Sequence, residues 1–468
     1  MSATPPHADA ADAAFSTLPL PPAVLENLQR MGYAQMTPVQ AATLPLALAG
    51  KDLIAQAKTG SGKTAAFALP LLANLNVRRF AVQSLVLCPT RELADQVTQE
   101  LRRLARAEDN IKILTLCGGA TMRGQLASLE HGAHVVVGTP GRILDHLSRQ
   151  TLVLEAVNTL VLDEADRMLD MGFAEDIAQV VSHCPAQRQT LLFSATYPEG
   201  VMKLANRFMR NPQQVTLTER HATNKIRQVF FEVSEGERLH AVGLLLKHYR
   251  PASALAFCNT KAQCRDLVAV LQAEGVVALE LHGDLDQRER DQVLIQFAHR
   301  SISVLVATDV AARGLDIAQL EAVINVDVTP EAAVHTHRVG RTGRADEAGW
   351  AFTLASLEEM GRVAAIDAMQ GSASVWQPLS SLTPASNEPL LPLMATLQIL
   401  GGRKEKIRAG DVLGALTKDL GFAASAIGKI NVNEFSTYIA VDRAIAKDAV
   451  RGMNAGRVKG KSVKVRQL

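Results

Sequence analysis

Two short stretches of the chain combine residue types that suit phosphate chemistry. The first reads Ala57-Lys58-Thr59-Gly60-Ser61-Gly62-Lys63-Thr64 and lies between an apolar run at residues 53–57 and a helical pattern at residues 65–72. Small residues let backbone N–H groups turn toward phosphates at a helix N-terminus, while Lys63 adds positive charge and Thr64 offers a hydroxyl to Mg2+. The strict phosphate-loop pattern has Gly where Ala57 stands, so the match is partial. The stretch predicts a strand, a phosphate loop and a helix that bind a nucleoside triphosphate.

The second stretch reads Val161-Leu162-Asp163-Glu164-Ala165-Asp166 and includes the end of an apolar run at residues 159–162. Asp163 can hold the Mg2+ shell, and Glu164 can orient or deprotonate the attacking water. An α/β sheet places its chemistry at the carboxyl ends of its strands. Taken alone, either stretch also fits a flexible turn or a solvated helix start. Both together, each at a strand end, favour a site for a nucleotide and its metal.

The composition is that of a globular protein with two or three domains, since 468 residues with 47% hydrophobic and 21% charged side chains can build several cores. Five cysteines show no Cys-x-x-Cys pairing, so neither a disulfide framework nor a zinc site is indicated. No run approaches about 18 apolar residues, and the start of the chain lacks the pattern of a signal peptide. We therefore expect a cytoplasmic protein without a membrane span.

Positive charge is concentrated at the end of the chain. Residues 393–468 contain 14 Lys and Arg against 6 Asp and Glu, a net charge of +8, whereas the whole chain carries +2. The preceding residues are therefore net acidic. A basic segment of this kind is typical of a surface that binds nucleic acid.

Apolar runs alternate with helical patterns along most of the chain, which is the signature of parallel sheets wrapped by helices. In the first part, the runs include residues 84–88, 134–137, 160–162 and 189–193. After a pause at residues 210–215, they continue at residues 252–258, 277–281, 303–307, 322–326 and 350–354. Two sheets of similar size are therefore expected to follow one another.

These patterns divide the chain into five segments. We predict a disordered leader at residues 1–14, a first domain at 15–212, a second at 213–371, a linker at 372–392 and a basic domain at 393–468. The linker prediction rests on four prolines among Ser, Thr and Asn. The last domain reads strand, helix, strand, strand, helix, strand. The expected fold class is α/β, with two tandem parallel-sheet domains and a small α+β domain.

With these motifs in order, residues 15–369 resemble a DEAD-box RNA helicase, a superfamily-two enzyme built of two RecA-like domains. Gly32-Tyr33-Ala34-Gln35-Met36-Thr37-Pro38-Val39-Gln40 resembles the family's Q motif, with Phe15 at the expected distance upstream. The resemblance implies that Gln40 reads the adenine edge and that Phe15 packs near the base. An ordinary helix start at Thr37-Pro38 is the alternative. The implied ATP-binding residues are Phe15, Gln40, Thr59, Gly60, Ser61, Gly62, Lys63, Thr64 and Asp316.

Further stretches of the first domain resemble the family's RNA-contacting and coupling motifs. Pro89-Thr90-Arg91-Glu92-Leu93-Ala94, Gly118-Gly119 and Thr139-Pro140-Gly141-Arg142 each follow an apparent strand. Thr and Arg can reach phosphates and a 2′-OH there, and Gly lets the backbone approach closely. Helix-entry turns remain the alternative. The resemblance implies RNA contacts by Pro89, Thr90, Arg91, Gly119, Thr139 and Arg142. It also implies that Asp166 and Ser194-Ala195-Thr196 couple the nucleotide state to domain closure. A plain N-cap by Thr196 is the alternative for the last motif.

The second domain continues the resemblance. Three stretches resemble the family's RNA and nucleotide contacts: Leu255-Ala256-Phe257-Cys258-Asn259-Thr260, Leu281-His282-Gly283-Asp284 and the stretch from Ala307 to Asp316. The resemblance implies that Thr260, Gly283 and Thr308 hold the RNA backbone and that Asp316 holds the ribose. His337-Arg338-Val339-Gly340-Arg341-Thr342-Gly343-Arg344 carries arginines at three-residue spacing near a helix end. The resemblance implies that Arg338 and Arg341 act as arginine fingers on the γ-phosphate. The alternative is a solvated basic helix end.

The basic domain resembles the unusual RNA-recognition-motif fold found at the C-terminus of one bacterial branch of the family. The resemblance rests on the run from Gly401 to Leu416, on Gly428-Lys429-Ile430 and on the run from Val458 to Arg466. Few aromatics are present, only Phe422, Phe435 and Tyr438, so recognition by basic loops is favoured over base stacking on a sheet. The implied target is a hairpin of 23S ribosomal RNA. Nonspecific attraction is the alternative. The candidate contacts are Arg403, Lys404, Lys406, Arg408, Lys461 and Lys464.

The sequence thus predicts an ATP- and Mg2+-dependent RNA helicase that remodels 23S rRNA in the precursor of the large ribosomal subunit, with no obligate protein partner. A general helicase for messenger RNA or decay is the alternative within the class. From other classes, an ATP-gated RNA clamp and a DNA translocase stay open.

Overall fold

The structure is a computed structural model that describes residues 13–57, 60–197, 199–217, 226–312, 320–343, 349–386 and 388–468. The chain splits into two compact units, one before and one after the gap at 218–225. No helix in the described part of the chain has both the length and the apolar character that a membrane crossing requires.

The first unit is built on a parallel sheet of seven strands in the order β3-β4-β2-β5-β6-β1-β7. Its strands are β1 (Leu53–Gln56), β2 (Ser84–Leu87), β3 (Ile113–Leu116), β4 (Val135–Gly138), β5 (Thr159–Leu162), β6 (Gln189–Ser194) and β7 (Gln213–Thr216). Its helices are α1 (Pro22–Arg30), α2 (Pro38–Leu48), α3 (Lys63–Ala73), α4 (Arg91–Leu104), α5 (Met122–Leu129), α6 (Pro140–Ser148), α7 (Ala165–Asp170), α8 (Ala174–Ser182) and α9 (Glu199–Phe208).

Helices cover both faces of this sheet, so its strands are buried on both sides. In β1, Leu53 and Ala55 join one apolar core while Ile54 joins the other. Such two-sided burial explains why these strands are continuous apolar runs in the sequence. Strand β7 pairs with β1 but is largely exposed, so the first domain extends past residue 212, where we had predicted its end.

The strand order also separates two groups of loops at the carboxyl edge of the sheet. Strands β1, β6 and β5 are neighbours, and so are β2, β4 and β3. The two stretches with phosphate and metal chemistry follow β1 and β5, whereas the predicted RNA-contacting motifs follow β2, β3 and β4. The fold therefore places the predicted nucleotide and RNA groups on adjacent halves of one edge.

The second unit begins with another parallel sheet of seven strands, in the order β10-β11-β9-β12-β13-β8-β14. Its strands are β8 (Ile226–Glu232), β9 (Ala254–Cys258), β10 (Ala278–Leu281), β11 (Val304–Thr308), β12 (Ala322–Asn325), β13 (Gly349–Ala355) and β14 (Trp376–Gln377). Its helices are α10 (Arg238–Tyr249), α11 (Lys261–Ala273), α12 (Gln287–Ala298), α13 (Asp309–Ala312), α14 (Ala332–Val339) and α15 (Met360–Gln370).

Part of the segment predicted as a linker belongs to this second domain. Strand β14 lies within residues 372–392 and pairs with β8. Leu382 is buried in the core of the domain, and Leu390 packs against that core. The prolines of this segment therefore mark irregular chain that packs on the domain rather than a free spacer.

The last part of the second unit, residues 393–468, is called the tail domain below. It is an antiparallel sheet in the order β16-β17-β15-β18 with two helices. Its elements are β15 (Met394–Ile399), α16 (Ala409–Gly414), β16 (Ile427–Val432), β17 (Thr437–Asp442), α17 (Ala446–Ala455) and β18 (Val465–Gln467). The predicted order of strands and helices is confirmed, and so is the fold class of two parallel-sheet domains with a small α+β domain.

Both faces of the tail sheet are covered at its centre. Alternate residues of β15, among them Leu397, point into the core formed with the tail helices. On the opposite face, Thr396 Oγ1 lies 3.1 Å from Nδ1 of His299 and 2.7 Å from the Ser301 hydroxyl, just past the end of α12. Nε2 of His299 lies 2.8 Å from Oδ1 of Asn431. The second helicase-like domain therefore covers the sheet face that a base-stacking domain would leave open to RNA.

Candidate nucleotide and RNA sites

The phosphate loop follows β1 as predicted, and Lys63 is the first residue of α3. Its side chain is buried, and its Nζ has no hydrogen-bond partner among the residues that the structure describes. A buried, unsatisfied ammonium group is costly unless a charged ligand completes it. Thr64 follows it, half-buried, while Thr59 lies outside the described residues. This arrangement is suited to an anion at the helix N-terminus.

Asp163 and Glu164 lie directly after β5, and both are buried. Burial raises the pKa of Asp163 to about 6, a shift that the charge of Lys63 opposes and that of Glu164 reinforces. Oδ1 of Asp163 is buried without a hydrogen-bond partner among the described residues. An orphaned carboxylate oxygen and an orphaned ammonium group in one interior site fit a divalent cation and phosphate oxygens.

Glu164 is held in an unusual conformation at the start of α7. Its φ of 52° lies in the left-handed region, which is strained for a residue with a Cβ. Arg167 donates a very short hydrogen bond to its carboxylate. Sequence reasoning did not single out Arg167, although its position three residues along a helix was a usable signal.

Asp166 connects the two predicted coupling residues. Its Oδ2 accepts hydrogen bonds of 2.8 Å from both the backbone N–H and the hydroxyl of Thr196. Its backbone N–H donates to the Ser194 hydroxyl over 3.3 Å. Burial opposes the charge, but the hydrogen bonds from Thr196 and Ser194 outweigh it and lower the pKa of Asp166. Through these hydrogen bonds, Asp166 connects the loop after β6 to α7, the helix that begins directly after Glu164.

The predicted adenine-reading segment packs on the phosphate loop. Thr37 caps α2, and the Gln40 amide donates to the carbonyl of Gly62 over 3.1 Å while accepting from the Thr37 N–H over 2.9 Å. Gln40 therefore supports the phosphate loop directly, a contact between residues far apart in sequence that spacing did not reveal. Phe15 is buried in the core and contacts Tyr33 edge-on, with ring centroids 5.9 Å apart.

Gly62 leaves no room for a side chain, which gives a first prediction. Its φ is +93°, and a Cβ there would lie 2.6 Å from the Gln40 amide nitrogen and 3.0 Å from the Thr37 hydroxyl. We expect Gly62→Ala to push Gln40 and the loop apart and to weaken ATP binding by on the order of ten-fold, the scale of one lost hydrogen bond. Titration with a fluorescent ATP analogue measures this.

Gly50→Ala is the matched control for that substitution. Gly50 also has a positive φ, of +74°, but nothing lies within 4 Å of its virtual Cβ. Both variants carry backbone strain, but only Gly62→Ala displaces Gln40. Equal ATP affinity in the two variants would show that the crowding at Gly62 is irrelevant to nucleotide binding.

The predicted RNA-contacting residues of the first domain lie in the loops and first helical turns that follow neighbouring strands. Thr90 caps α4 and accepts from the Leu93 N–H over 3.3 Å, and Gly119 has a φ of 78°. Arg142 donates to the Ala120 carbonyl and the Gln125 amide oxygen, at 3.2 and 2.7 Å. Pro89 and Thr139 lie just before α4 and α6, and Arg91 is the first residue of α4. The sheet order places these residues near the adjacent carboxyl ends of β2, β3 and β4.

The second domain repeats this arrangement. Thr260 caps α11 after β9 and accepts from the Gln263 N–H over 3.2 Å. Gly283 follows β10, and Thr308 is the last residue of β11. Because β10, β11 and β9 are adjacent in the sheet, these three candidates also share one edge. Asp316, the predicted ribose contact, lies outside the described residues.

The structure does not support the prediction that Arg338 is an arginine finger. Its side chain is 1% exposed, and its guanidinium makes two 2.7 Å hydrogen bonds to the Asp309 carboxylate. It also donates to the Asn259 side chain and the Asp327 carbonyl, at 2.9 and 2.8 Å. Three-residue spacing did not show that α14 ends at Val339, so that Arg341 lies beyond the helix that carries Arg338. Arg341, which is 6% exposed, stays a predicted finger.

Three family profiles match successive parts of the chain: DEAD/DEAH box helicase at residues 37–204, helicase conserved C-terminal domain at residues 237–346 and DbpA RNA binding domain at residues 396–467. Over 459 residues, the chain is 51% identical to the ATP-dependent RNA helicase DbpA of Escherichia coli, covering 97% of this chain and 99% of that protein. The chain belongs to the DEAD-box RNA helicase family. Its two parallel-sheet domains are therefore RecA-like, and it is an ATP-dependent RNA helicase.

Other members of the family resemble the two RecA-like domains of this DEAD-box helicase. The DEAD-box ATP-dependent RNA helicase CshA of Geobacillus kaustophilus is 46% identical over 350 residues, which cover 75% of each chain. The structure of Saccharomyces cerevisiae Dbp5 bound to RNA and ADP BeF3 aligns with a TM-score of 0.72 and 29% identity, covering 79% of this chain and 96% of that one. These relatives therefore match about three quarters of the chain, whereas the DbpA match covers nearly all of it.

The tail domain of this DEAD-box helicase presents its predicted RNA contacts on exposed loops. Four of them lie in the loop after β15 and two in the loop before β18. Lys459 Nζ donates to the Lys406 carbonyl over 2.9 Å, and Lys461 Nζ to the Glu405 carbonyl over 3.4 Å, so the two loops lie side by side. The exposed predicted contacts are Arg403, Lys404, Lys406, Arg408, Lys461 and Lys464.

Proposed function

We propose that this helicase uses ATP and Mg2+ to remodel 23S ribosomal RNA during assembly of the large ribosomal subunit, and that its tail domain directs it to a hairpin of that RNA. The observation that carries the proposal is the tail domain. The centre of its sheet is covered on both faces, and two adjacent basic loops remain exposed. Loops can grip the phosphates and grooves of a folded hairpin, whereas an open sheet would suit a row of unpaired bases.

The residues of the first domain fit the nucleotide and metal. Lys63 would bind the outer phosphates, and Thr64 and Asp163 would hold Mg2+. When bound, the ion neutralises charge on the phosphate oxygens. The orphaned Nζ of Lys63 and Oδ1 of Asp163 support this assignment. Gln40 and Phe15 would contact the base from the segment that packs on the loop.

Glu164 would orient the attacking water and accept its proton. The left-handed backbone and the hydrogen bond from Arg167 fix the direction of its carboxylate, and a fixed direction is what an in-line attack requires. Asp166, Ser194 and Thr196 would transmit the state of this site to the loop after β6. Arg341 would stabilise charge on the transferring phosphoryl group.

RNA binding by both RecA-like domains would bend one strand out of a duplex. The candidate groups at the edges of the two sheets are backbone N–H groups, hydroxyls and two arginines, which suit contacts to phosphates and 2′-OH groups rather than to bases. The RecA-like domains would therefore act on any RNA strand. Selection of the 23S hairpin would fall to the tail domain.

Substitutions test this proposal better than removal of the tail, since removal would expose the buried His299 and Ser301. We expect Arg403→Ala with Lys461→Ala to reduce the preference for the 23S hairpin over a scrambled hairpin of equal length by on the order of ten-fold, with each loop contributing contacts. Fluorescence anisotropy at fixed salt measures both affinities. Lys418→Ala with Lys447→Ala removes the same charge from exposed positions outside these loops and is the matched control.

Two outcomes would count against the proposal. An unchanged preference after the loop substitutions would remove the tail loops from hairpin recognition. A wild-type chain without preference for the 23S hairpin would favour a general RNA helicase. Strand separation of a short RNA duplex, measured in the same preparations, distinguishes the helicase from an ATP-gated clamp.

A further inference from the structure

The tail domain exposes one aromatic ring within its basic surface. Phe435 lies in the turn between β16 and β17 and is 64% exposed. The two other aromatic residues of the tail are not available in this way, because Tyr438 is buried and Phe422 packs against the core. Most of the Phe435 ring is exposed, and the residue is not part of the tail core.

The turn that carries Phe435 is held rigidly against the first basic loop. The N–H groups of Arg403 and Lys404 donate to the carbonyls of Asn433 and Glu434, at 2.9 and 3.0 Å. A Cβ at Gly402 would lie 2.3 Å from the Asn433 carbonyl oxygen, so this close approach requires glycine. The backbone of the turn is therefore held next to the basic loop, so little backbone ordering is needed when RNA binds there.

Two basic side chains, those of Lys404 and Arg403, lie on the side of the ring that faces that loop. Lys404 Nζ lies 5.5 Å from the ring centroid, and it also lies 3.2 Å from a Glu434 oxygen in a pair that is about equally exposed at both ends. Exposed pairs of this kind contribute little to stability. Arg403 adjoins Lys404, and its Nε donates to the Val432 carbonyl over 3.2 Å. An aromatic face beside phosphate-binding cations is the arrangement that binds an unpaired nucleotide.

We propose that Phe435 is a stacking platform for one unpaired base next to the hairpin that the tail domain binds. Arg403 and Lys404 hold the backbone phosphates beside that base. The proposal rests on RNA binding by the tail domain, and it adds a contact that basic loops alone do not supply. Since every base has a π-face, the platform selects for an unpaired nucleotide at this position and not for a particular base.

The experiment compares two RNAs on the full-length chain. One is the 23S hairpin with unpaired flanking nucleotides, and the other is a blunt duplex of the same length. We expect Phe435→Ala to weaken binding of the flanked hairpin by on the order of ten-fold and to leave the blunt duplex unchanged, with the loss restored by Phe435→Tyr. Lys404→Ala should weaken both RNAs and lower the salt dependence of binding.

Phe80→Ala is the matched control, because Phe80 is 59% exposed in the first unit and should not affect either RNA. Equal affinity of Phe435→Ala and wild type for the flanked hairpin would overturn the proposal. Affinity for the flanked hairpin that is as high in Phe435→Leu as in Phe435→Tyr would also overturn it, since apolar contact and not stacking would then be responsible. If wild type shows no preference for the 23S hairpin but Phe435→Ala still weakens flanked RNA, the proposed target fails and the stacking site stands.

Discussion

Lys63→Ala is expected to lower RNA-stimulated ATP turnover by on the order of 10³-fold, the effect of removing a charge aimed at the reacting phosphates. The same substitution should leave the folding stability unchanged or raise it. The Lys63 ammonium is buried and has no hydrogen-bond partner among the described residues, so the folded protein gains little from it. Steady-state phosphate release and thermal unfolding, measured on one preparation, give both quantities.

Lys51→Ala is the control for this variant, because Lys51 is an exposed lysine of the same domain, near the end of α2. It should retain turnover and stability. Turnover near the wild-type value in Lys63→Ala would contradict the phosphate-binding role. A large loss of stability would show instead that Lys63 is a structural residue.

Glu164→Gln is expected to stop hydrolysis while nucleotide binding persists. Glutamine has the shape of glutamate and can still accept a hydrogen bond from Arg167, but it cannot take a proton from water. Turnover should fall by on the order of 10²–10⁴-fold, the usual contribution of a positioned base. Lys63 and Asp163 remain, so ATP should still bind, and the variant should hold RNA in the ATP-bound state.

Glu175→Gln makes the same chemical change at an exposed position in the first turn of α8 and should keep normal turnover. Phosphate release and binding of a fluorescent ATP analogue separate hydrolysis from affinity. If Glu164→Gln lost ATP binding and hydrolysis to the same degree, Glu164 would belong to the binding site and another group would activate the water.

Much of the fold could be predicted from the sequence because strands buried on both faces leave continuous apolar runs. The runs before Asp163 and Ser194 gave both strands within a residue or two. The signal failed for strands outside a core. Strand β7 is polar and exposed, and β14 has two residues within a proline-rich segment, so neither produced an apolar run.

The candidate site was predictable where function depends on neighbouring residues and not where it depends on contacts across the chain. Gly60 to Thr64 form a local motif that spacing reveals. The hydrogen bond from Gln40 to Gly62 joins two separate motifs and appears only in the folded chain. Arg338 is a second example, because the spacing of the arginines does not reveal that its guanidinium pairs with the Asp309 carboxylate.

The contacts that bury the second face of the tail sheet could not be predicted from the sequence. Thr396 alternates with apolar residues along β15, which would fit an exposed face. Its burial comes from His299, nearly a hundred residues earlier in the chain. Burial lowers the pKa of His299, whose two ring nitrogens contact Thr396 and Asn431. Because this interface covers the centre of the sheet, we propose that the tail domain binds RNA through its loops.

The most direct test of the account measures ATP turnover by the full-length helicase against increasing concentrations of two RNAs. One contains the 23S hairpin with a single-stranded flank, and the other has the same length and flank with a scrambled hairpin. We predict that the 23S hairpin stimulates turnover at a concentration at least ten-fold lower, with both RNAs inactive on Lys63→Ala. Equal stimulation by the two RNAs would contradict the claim that the tail domain directs this ATPase to 23S rRNA.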